Sequence, residues 1–229
     1  MMLKRVKYLV LSVFVLSIAA PALGQRGSRV GGQGYREAAD FVVNRLDLKK
    51  GSVVVDIGAG DGFWSRKMAE KVGADGAVHA GEVEQRKVDS LKGRLADVPQ
   101  VKPYLCPTDG TGLDANSCDL AFLSKTYHHL NKDSHVDYLR HLKKVIKPSG
   151  RLCVIERHPD FATGGGKNHA WMPGLLAMQA EEAGWMLLRY QMIKGSDHFM
   201  AIFVLPEFHV KNFEQQKQRQ RQQQANGEQ

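Results

Sequence analysis

The sequence predicts an α/β protein built on a mostly parallel sheet, and three features carry that prediction. Between residues 35 and 206, strand-like segments alternate with amphipathic helix-like segments, as in a parallel sheet with crossover helices. Val53–Ile57 is a continuous apolar run of the kind found in a strand buried on both faces. The last two strand-like segments have alternating patterns, so we expect an antiparallel pair at one edge. The whole region is predicted to be one domain.

The predicted strands are short apolar runs bounded by turn residues. In order they are Val53–Ile57, Ala77–Val83, Val101–Leu105, Cys118–Ser124, Arg151–Glu156, Trp185–Gln191 and His198–Leu205. The predicted helices place apolar residues at helical spacing. They cover Tyr35–Leu46, a segment after Gly62 to about Val72, Glu84–Leu95, a segment from Asp133 or Ser134 to Ile146, and Met178–Ala183. The fourth helix is expected to stop before Pro148, because proline cannot continue a helix.

The N-terminus has the layout of a secretory signal. Three basic residues, Lys4, Arg5 and Lys7, precede an apolar run over Tyr8–Ala20, and small residues precede a predicted cut after Gly24. A bilayer span needs about 20 apolar residues, so a cleaved signal is favoured over an uncleaved membrane anchor. We therefore predict a signal peptide over 1–24, export by the general route to the periplasm or outside, and a flexible segment over 25–34.

Most of the net positive charge lies at the two ends of the chain. The chain has 229 residues and a net charge of +8, of which +3 falls in residues 1–24 and +2 in residues 211–229. The remaining +3 is too little to indicate a nucleic-acid-binding groove. Eight glutamines without apolar periodicity predict a disordered tail over 209–229, which leaves 35–208 for the folded domain.

Cysteine usage predicts a structural role for the thiols. The chain has three cysteines, Cys106, Cys118 and Cys153, and their spacing offers no metal pattern. We expect all three to be free, with a bridge through Cys106 as the alternative.

The loop after the first strand is where a ligand is expected, because open α/β sheets bind ligands at the carboxyl ends of their strands. It runs from Asp56 through Gly58, Gly60 and Asp61 to Gly62. The spacing departs from a dinucleotide fingerprint because Phe63 stands where the third glycine is needed, and no phosphate-binding Gly-Lys-Ser/Thr is present. Two carboxylates would repel a pyrophosphate but attract an ammonium and a sulfonium, so the loop predicts a cationic nucleoside ligand.

The end of the second strand supplies another acid. Glu82 can accept hydrogen bonds from both ribose hydroxyls, the role of the acidic residue downstream of a dinucleotide loop. Neighbouring Glu84 is the alternative for that role.

With these motifs and the segments Ser117–Leu123, Tyr127–Leu130 and Leu142–Leu152, the chain resembles a class I S-adenosylmethionine-dependent methyltransferase over residues 35–205. The resemblance implies a three-layer Rossmann-like sandwich with a seven-stranded, mostly parallel sheet whose last strand is antiparallel. It also implies S-adenosylmethionine as the cofactor. The residues that would hold the cofactor are Asp56, Gly58 and Gly60 for the methionine portion, Asp61 for its ammonium group, Glu82 for the ribose and Asp109 for the adenine.

Catalytic candidates follow the fourth strand. Methyl transfer is an in-line displacement in which the protein aligns the two partners and, where needed, removes a proton. His128 and Tyr127 are predicted to contact the acceptor, with His128 as the possible base. His128, His129 and His158 could converge on a metal, but the spacing matches no metal motif, so none is predicted.

Two classes of function remain open. The first is an exported methyltransferase that acts on an unidentified, small-molecule acceptor, with no nucleic acid and no permanent membrane span. The second is a non-catalytic nucleoside-binding or scaffold protein that retains the same fold. A dinucleotide oxidoreductase is disfavoured by the acidic loop. The sequence does not indicate the oligomeric state.

Overall fold

The computed structural model describes residues 34–162 and 168–227, and these residues form a central seven-stranded sheet with helices on both faces. The strand order is β3-β2-β1-β4-β5-β7-β6. Strands β1 to β5 pair in parallel, and β7 runs antiparallel to both β5 and β6. The predicted fold class is therefore confirmed, including the antiparallel last strand.

Most predicted elements lie within a few residues of their expected bounds. The strands are β1 Val53–Ile57, β2 Ala77–Glu82, β3 Val101–Leu105, β4 Cys118–Ser124, β5 Ile146–Arg157, β6 Met186–Met192 and β7 His198–Val204. The helices are α1 Gly34–Glu37, α2 Ala39–Val43, α3 Phe63–Val72, α4 Gln85–Arg94, α5 His135–Val145, α6 Pro173–Glu182 and α7 Pro206–Gly227. Two short 3₁₀ turns, Tyr127–His129 and Lys132–Ser134, connect β4 to α5.

Two apolar layers separate the sheet from its helices. Along β1, Val54 belongs to the layer under α2, α3 and α4, whereas Val55 belongs to the layer under α5 and α6. Successive side chains of a strand point to opposite faces, so a continuous apolar strand feeds both layers. The result is the three-layer arrangement, with the carboxyl ends of β1 to β5 at a common edge.

Three boundaries differ from the sequence prediction. The predicted first helix is divided into α1 and α2 at Ala38. Strand β5 begins at Ile146, because Lys147 to Gly150 continue as extended chain rather than as a turn. Its pairing with β4 shifts register between Cys118 and Leu120. Helix α6 begins five residues earlier than predicted, at Pro173, a residue suited to a helix start.

The C-terminal segment also differs from the predicted disorder, because α7 is helical from Pro206 to Gly227. Gln, Lys, Arg and Glu are good helix formers, so a segment without an apolar face can still be helical. The exact domain limits stay predictions. The predicted signal peptide and most of the segment over 25–34 lie outside the described residues. Among the helices that the structure describes, none combines the length and the apolar character needed to cross a bilayer.

The cysteines match their predicted role. Cys106, Cys118 and Cys153 are all buried and free, so the alternative bridge through Cys106 is not formed. Burial raises the pKa of each thiol, which makes these cysteines less reactive as nucleophiles.

Candidate functional site

A cavity of about 880 Å³ opens at the carboxyl ends of the central strands. Its volume lies within the range of ligand-binding pockets. All six residues predicted to bind the cofactor line it, namely Asp56, Gly58, Gly60, Asp61, Glu82 and Asp109. Tertiary structure adds wall residues that the motifs did not indicate, among them Arg36, Thr126 and Tyr138, and it also places Tyr35 and His129 in the wall.

The glycine loop has backbone angles that favour glycine. Gly58, Gly60 and Gly62 have φ angles of 70°, 63° and 81°, a region that glycine adopts without strain. A Cβ on Gly58 would lie 2.6 Å from Oγ1 of Thr126, so the loop and the segment after β4 meet too closely for any other residue. A Cβ on Gly60 would meet nothing closer than 4.0 Å, which leaves its backbone open toward the cavity.

Glu82 connects the second strand to this loop. Its Oε1 accepts a 2.7 Å hydrogen bond from the backbone amide of Gly60, and its Oε2 lies 3.7 Å from Nζ of Lys87. The Glu82 side chain is buried, whereas Glu84 is half exposed and pairs with Lys87 at 2.9 Å. The geometry therefore favours Glu82 over Glu84 as the acid inside the cavity.

Asp56 is buried beneath the loop. Its Oδ2 accepts a 2.6 Å hydrogen bond from the hydroxyl of Ser65 in α3. Burial raises the pKa of Asp56 to about 7, against the opposing effect of the Ser65 bond and with added repulsion from Glu82 and Asp61. A buried carboxyl group with such a pKa gains from a bound cation, because the cation stabilises its charged form.

Asp61 has a partner within the protein. Its two oxygens accept hydrogen bonds of 2.9 and 3.0 Å from the guanidinium of Arg36, whose Cζ lies 4.7 Å from the centre of the Phe63 ring. The Arg36 guanidinium holds the pKa of Asp61 below its usual range, despite partial burial. Asp61 would thus contact the predicted ammonium group while it is still paired with Arg36. The same ion pair joins helix α1 to the glycine loop.

The segment after β3 forms part of the cavity wall. Asp109 lies there beside Cys106, whose Sγ is 3.2 Å from the carbonyl oxygen of Gly110. His141 from α5 holds the same segment by accepting a 2.9 Å hydrogen bond from the backbone amide of Thr111. This bond between His141 and the loop is a contact that only the fold creates.

The two predicted catalytic residues lie beside the cavity rather than in it. Tyr127 is fully buried, and its hydroxyl donates a 3.0 Å hydrogen bond to Gln179 of α6. His128 is directed toward Glu156 and His169, whereas the adjacent His129 lines the cavity. These placements do not support the catalytic roles predicted for Tyr127 and His128. The ring centres of His128 and His129 are only 4.0 Å apart, but of these two only His129 lines the cavity.

Comparison with known proteins agrees with this site. Residues 54–150 match the family model described as "Methyltransferase domain". The chain is 30% identical over 124 residues to a ubiquinone/menaquinone biosynthesis C-methyltransferase of Neisseria meningitidis, an alignment that covers 53% of this chain and 49% of that protein. The chain thus spans about half the length of the curated relatives it matches.

Solved structures show the same fold. One neighbour is a SAM-dependent methyltransferase from Aquifex aeolicus, with a TM-score of 0.67, 24% identity and coverage of 72% of this chain and 88% of that one. Another is the 1,6-didemethyltoxoflavin-N1-methyltransferase of Burkholderia thailandensis, solved with bound 1,6-didemethyltoxoflavin and S-adenosylhomocysteine. It has a TM-score of 0.58, 18% identity and coverage of 74% of this chain and 77% of that one.

The fold and the cavity define a Rossmann-like methyltransferase architecture. Residues 54–150 are therefore similar to a methyltransferase domain, and the fold is the one seen in solved S-adenosylmethionine-dependent methyltransferases.

Proposed function

We propose that this protein transfers a methyl group from S-adenosylmethionine to a small-molecule acceptor. The observation that supports the proposal best is the convergence of six separately predicted residues on one cavity, with Glu82 bonded to the Gly60 amide. The cofactor would supply an electrophilic methyl group on a sulfonium. The protein's contribution is to bind and orient the two reactants, since alignment is the main source of catalysis in such a displacement.

The charges of the cavity suit this cofactor better than a phosphorylated one. Asp56, Asp61, Glu82 and Asp109 place four carboxyl groups around the cavity. Three basic residues, Arg36, Lys87 and Lys125, also line the cavity, so the carboxyl groups are in slight excess, and this excess favours an ammonium and a sulfonium over a phosphate. Asp56 and the backbone of Gly58 and Gly60 would hold the methionine portion, Glu82 the ribose hydroxyls and Asp109 the adenine amino group.

The acceptor is proposed to be small and uncharged or weakly charged. The named relatives are described as a C-methyltransferase of ubiquinone/menaquinone biosynthesis and as a 1,6-didemethyltoxoflavin-N1-methyltransferase, and both names refer to small molecules. Tyr35, Leu130 and Tyr138 add aromatic and apolar surface to the cavity wall. The modest charge of the folded region supports a small molecule over a nucleic acid.

Calorimetric titration tests the cofactor. We expect S-adenosylmethionine to bind the purified chain and the nicotinamide dinucleotides not to bind. Transfer of a labelled methyl group to small molecules of a cell extract would then establish the activity. Binding of S-adenosylmethionine without transfer to any extract fraction would favour the non-catalytic nucleoside-binding protein. Binding of a dinucleotide and not of S-adenosylmethionine would contradict both that hypothesis and the methyltransferase.

We also propose that the protein is exported, because of the basic and apolar layout of residues 1–24. Cell fractionation followed by N-terminal sequencing should find a mature chain that begins at Gln25. A full-length chain in the membrane fraction would instead identify an uncleaved anchor.

A further inference from the structure

Three histidines meet beside the cofactor cavity. His128 and His129 belong to the 3₁₀ turn after β4, and His169 comes from the segment between β5 and α6. One ring nitrogen from each lies within 4.8 Å of the other two, and Nε2 of His128 is 3.2 Å from Nδ1 of His169. No step of the proposed methyl transfer requires this cluster.

The turn and the segment that carry the imidazoles are both anchored to the sheet. Ala170, next to His169, pairs with Arg157 at the end of β5, and the Trp171 amide donates a 2.9 Å hydrogen bond to the Arg157 carbonyl. The Trp171 ring packs against Tyr127, the residue before His128, with ring centres 5.4 Å apart. Packing and backbone pairing thus hold the two sides of the cluster in register.

A buried carboxylate orients the central histidine. Glu156 of β5 is fully buried, and its Oε2 lies 2.8 Å from Nδ1 of His128. Its Oε1 accepts a longer, 3.3 Å bond from the His128 backbone amide. A carboxylate can only accept a hydrogen bond, so this contact requires the proton of His128 on Nδ1 and leaves the lone pair on Nε2, the atom that faces His169. Metal-binding histidines are commonly held by a carboxylate in this way.

From this arrangement we propose that His128, His129 and His169 form a binding site for a divalent transition metal ion, with Zn²⁺ as the preferred ion. Three neutral imidazoles are a donor set suited to zinc, copper, nickel and iron, and not to calcium or magnesium. Two nitrogens bound to a tetrahedral Zn²⁺ at 2.0 to 2.1 Å lie about 3.3 Å apart, close to the spacing of His128 and His169.

A metal ion held by these three histidines would keep a ligand position open. Three protein ligands leave one position of a tetrahedral ion open, as in catalytic rather than structural zinc sites. His129 also lines the cofactor cavity, so the open position would be reached from that side. The site is independent of the proposed methyl transfer, since none of its ligands belongs to the six cofactor-binding residues.

Titration of the chelator-treated full chain with Zn²⁺ tests the site. We expect one Zn²⁺ per chain by calorimetry, and a tetrahedral cobalt absorption spectrum when Co²⁺ replaces it. His169→Gln should weaken binding at least a hundredfold. Glu156→Gln should weaken it ten- to a hundredfold, the usual effect of removing an outer-shell partner. His79→Gln is the matched control, because His79 lies on β2 and faces Tyr104.

Two outcomes would overturn the proposal. One is unchanged Zn²⁺ affinity in His169→Gln, which would assign the metal to other residues. The other is no stoichiometric binding by the folded wild-type chain, which would leave Glu156, His128 and His169 as a hydrogen-bonded chain only. S-adenosylmethionine affinity and circular dichroism of His169→Gln should match those of the wild type, so loss of metal can be separated from misfolding and from failure of the proposed function.

Discussion

The backbone amide of Gly60 donates a 2.7 Å hydrogen bond to Oε1 of Glu82. This bond joins the loop after β1 to the end of β2, so one carboxylate shapes the glycine loop and also faces the cavity. The predicted contact with ribose would therefore be made by a group that the protein already holds in place. Such preorganisation lowers the entropy cost of ligand binding.

Replacing Glu82 should weaken cofactor binding selectively. In Glu82→Ala the Gly60 amide loses a charged acceptor, and hydrogen bonds of this kind contribute about 1.5 to 3 kcal/mol. We expect a ten- to hundredfold higher Kd for S-adenosylmethionine by calorimetry. Glu84→Ala, in which a half-exposed acid is removed two residues away, is the control and should bind like the wild type. Equal losses in the two variants would contradict the role of Glu82.

The raised pKa of Asp56 predicts that cofactor affinity depends on pH. Its pKa of about 7 means that the carboxyl group is largely neutral below neutrality and charged above it. An ammonium group is attracted only by the charged form, so affinity should rise as the pH increases from about 6 to 8. Asp56→Asn should bind more weakly and with a flatter pH profile. A wild-type profile that is flat over this interval would refute the prediction.

The same group affects folding stability with the opposite sign. The pKa of Asp56 is higher in the folded chain than its usual 3.8, so between these two values the native state binds a proton that the unfolded state has lost. The contribution of Asp56 is therefore fully present below about pH 3.8 and decreases as the pH rises to about 7. Asp56→Asn should flatten this part of the stability curve, measured by urea unfolding without cofactor.

Gly58 should not tolerate a side chain. Gly58→Ala combines a positive φ with a Cβ only 2.6 Å from Oγ1 of Thr126, so the loop or the segment after β4 must shift. We expect lower thermal stability and loss of measurable S-adenosylmethionine binding. Gly93→Ala lies within α4 with open space around it, and should instead raise stability by about 0.5 to 1 kcal/mol. Normal cofactor binding by Gly58→Ala would disprove the steric argument.

The ion pair between Arg36 and Asp61 should control how long the cofactor stays bound. Arg36 lies in α1 at the cavity wall, and its pair is too exposed to add much to folding stability. Arg36→Gln should increase the S-adenosylmethionine dissociation rate several-fold in stopped-flow experiments while leaving the unfolding midpoint nearly unchanged. Arg66→Gln breaks a comparable exposed pair with Asp97 and serves as the control. If both variants release the cofactor at the wild-type rate, the pair has no such role.

Local sequence determined the sheet and the glycine loop, and the family resemblance implied the six residues that are predicted to bind the cofactor. These features depend on short-range rules: apolar runs form buried strands, and glycine permits the turn at the end of β1. Because parallel strands end at one edge of the sheet, residues that follow β1, β2 and β3 were expected to share a site. The structure places all six around one cavity.

Tertiary structure decided the contacts between residues distant in the chain. Glu156 lies 28 residues from His128, and His169 lies 41 residues from it; they meet because β4 and β5 are neighbours and the segment after β5 folds back beside the turn. No sequence spacing encodes that meeting, which is why the sequence predicted no metal. The sequence likewise placed Tyr127 at the acceptor, whereas packing against α6 buries it.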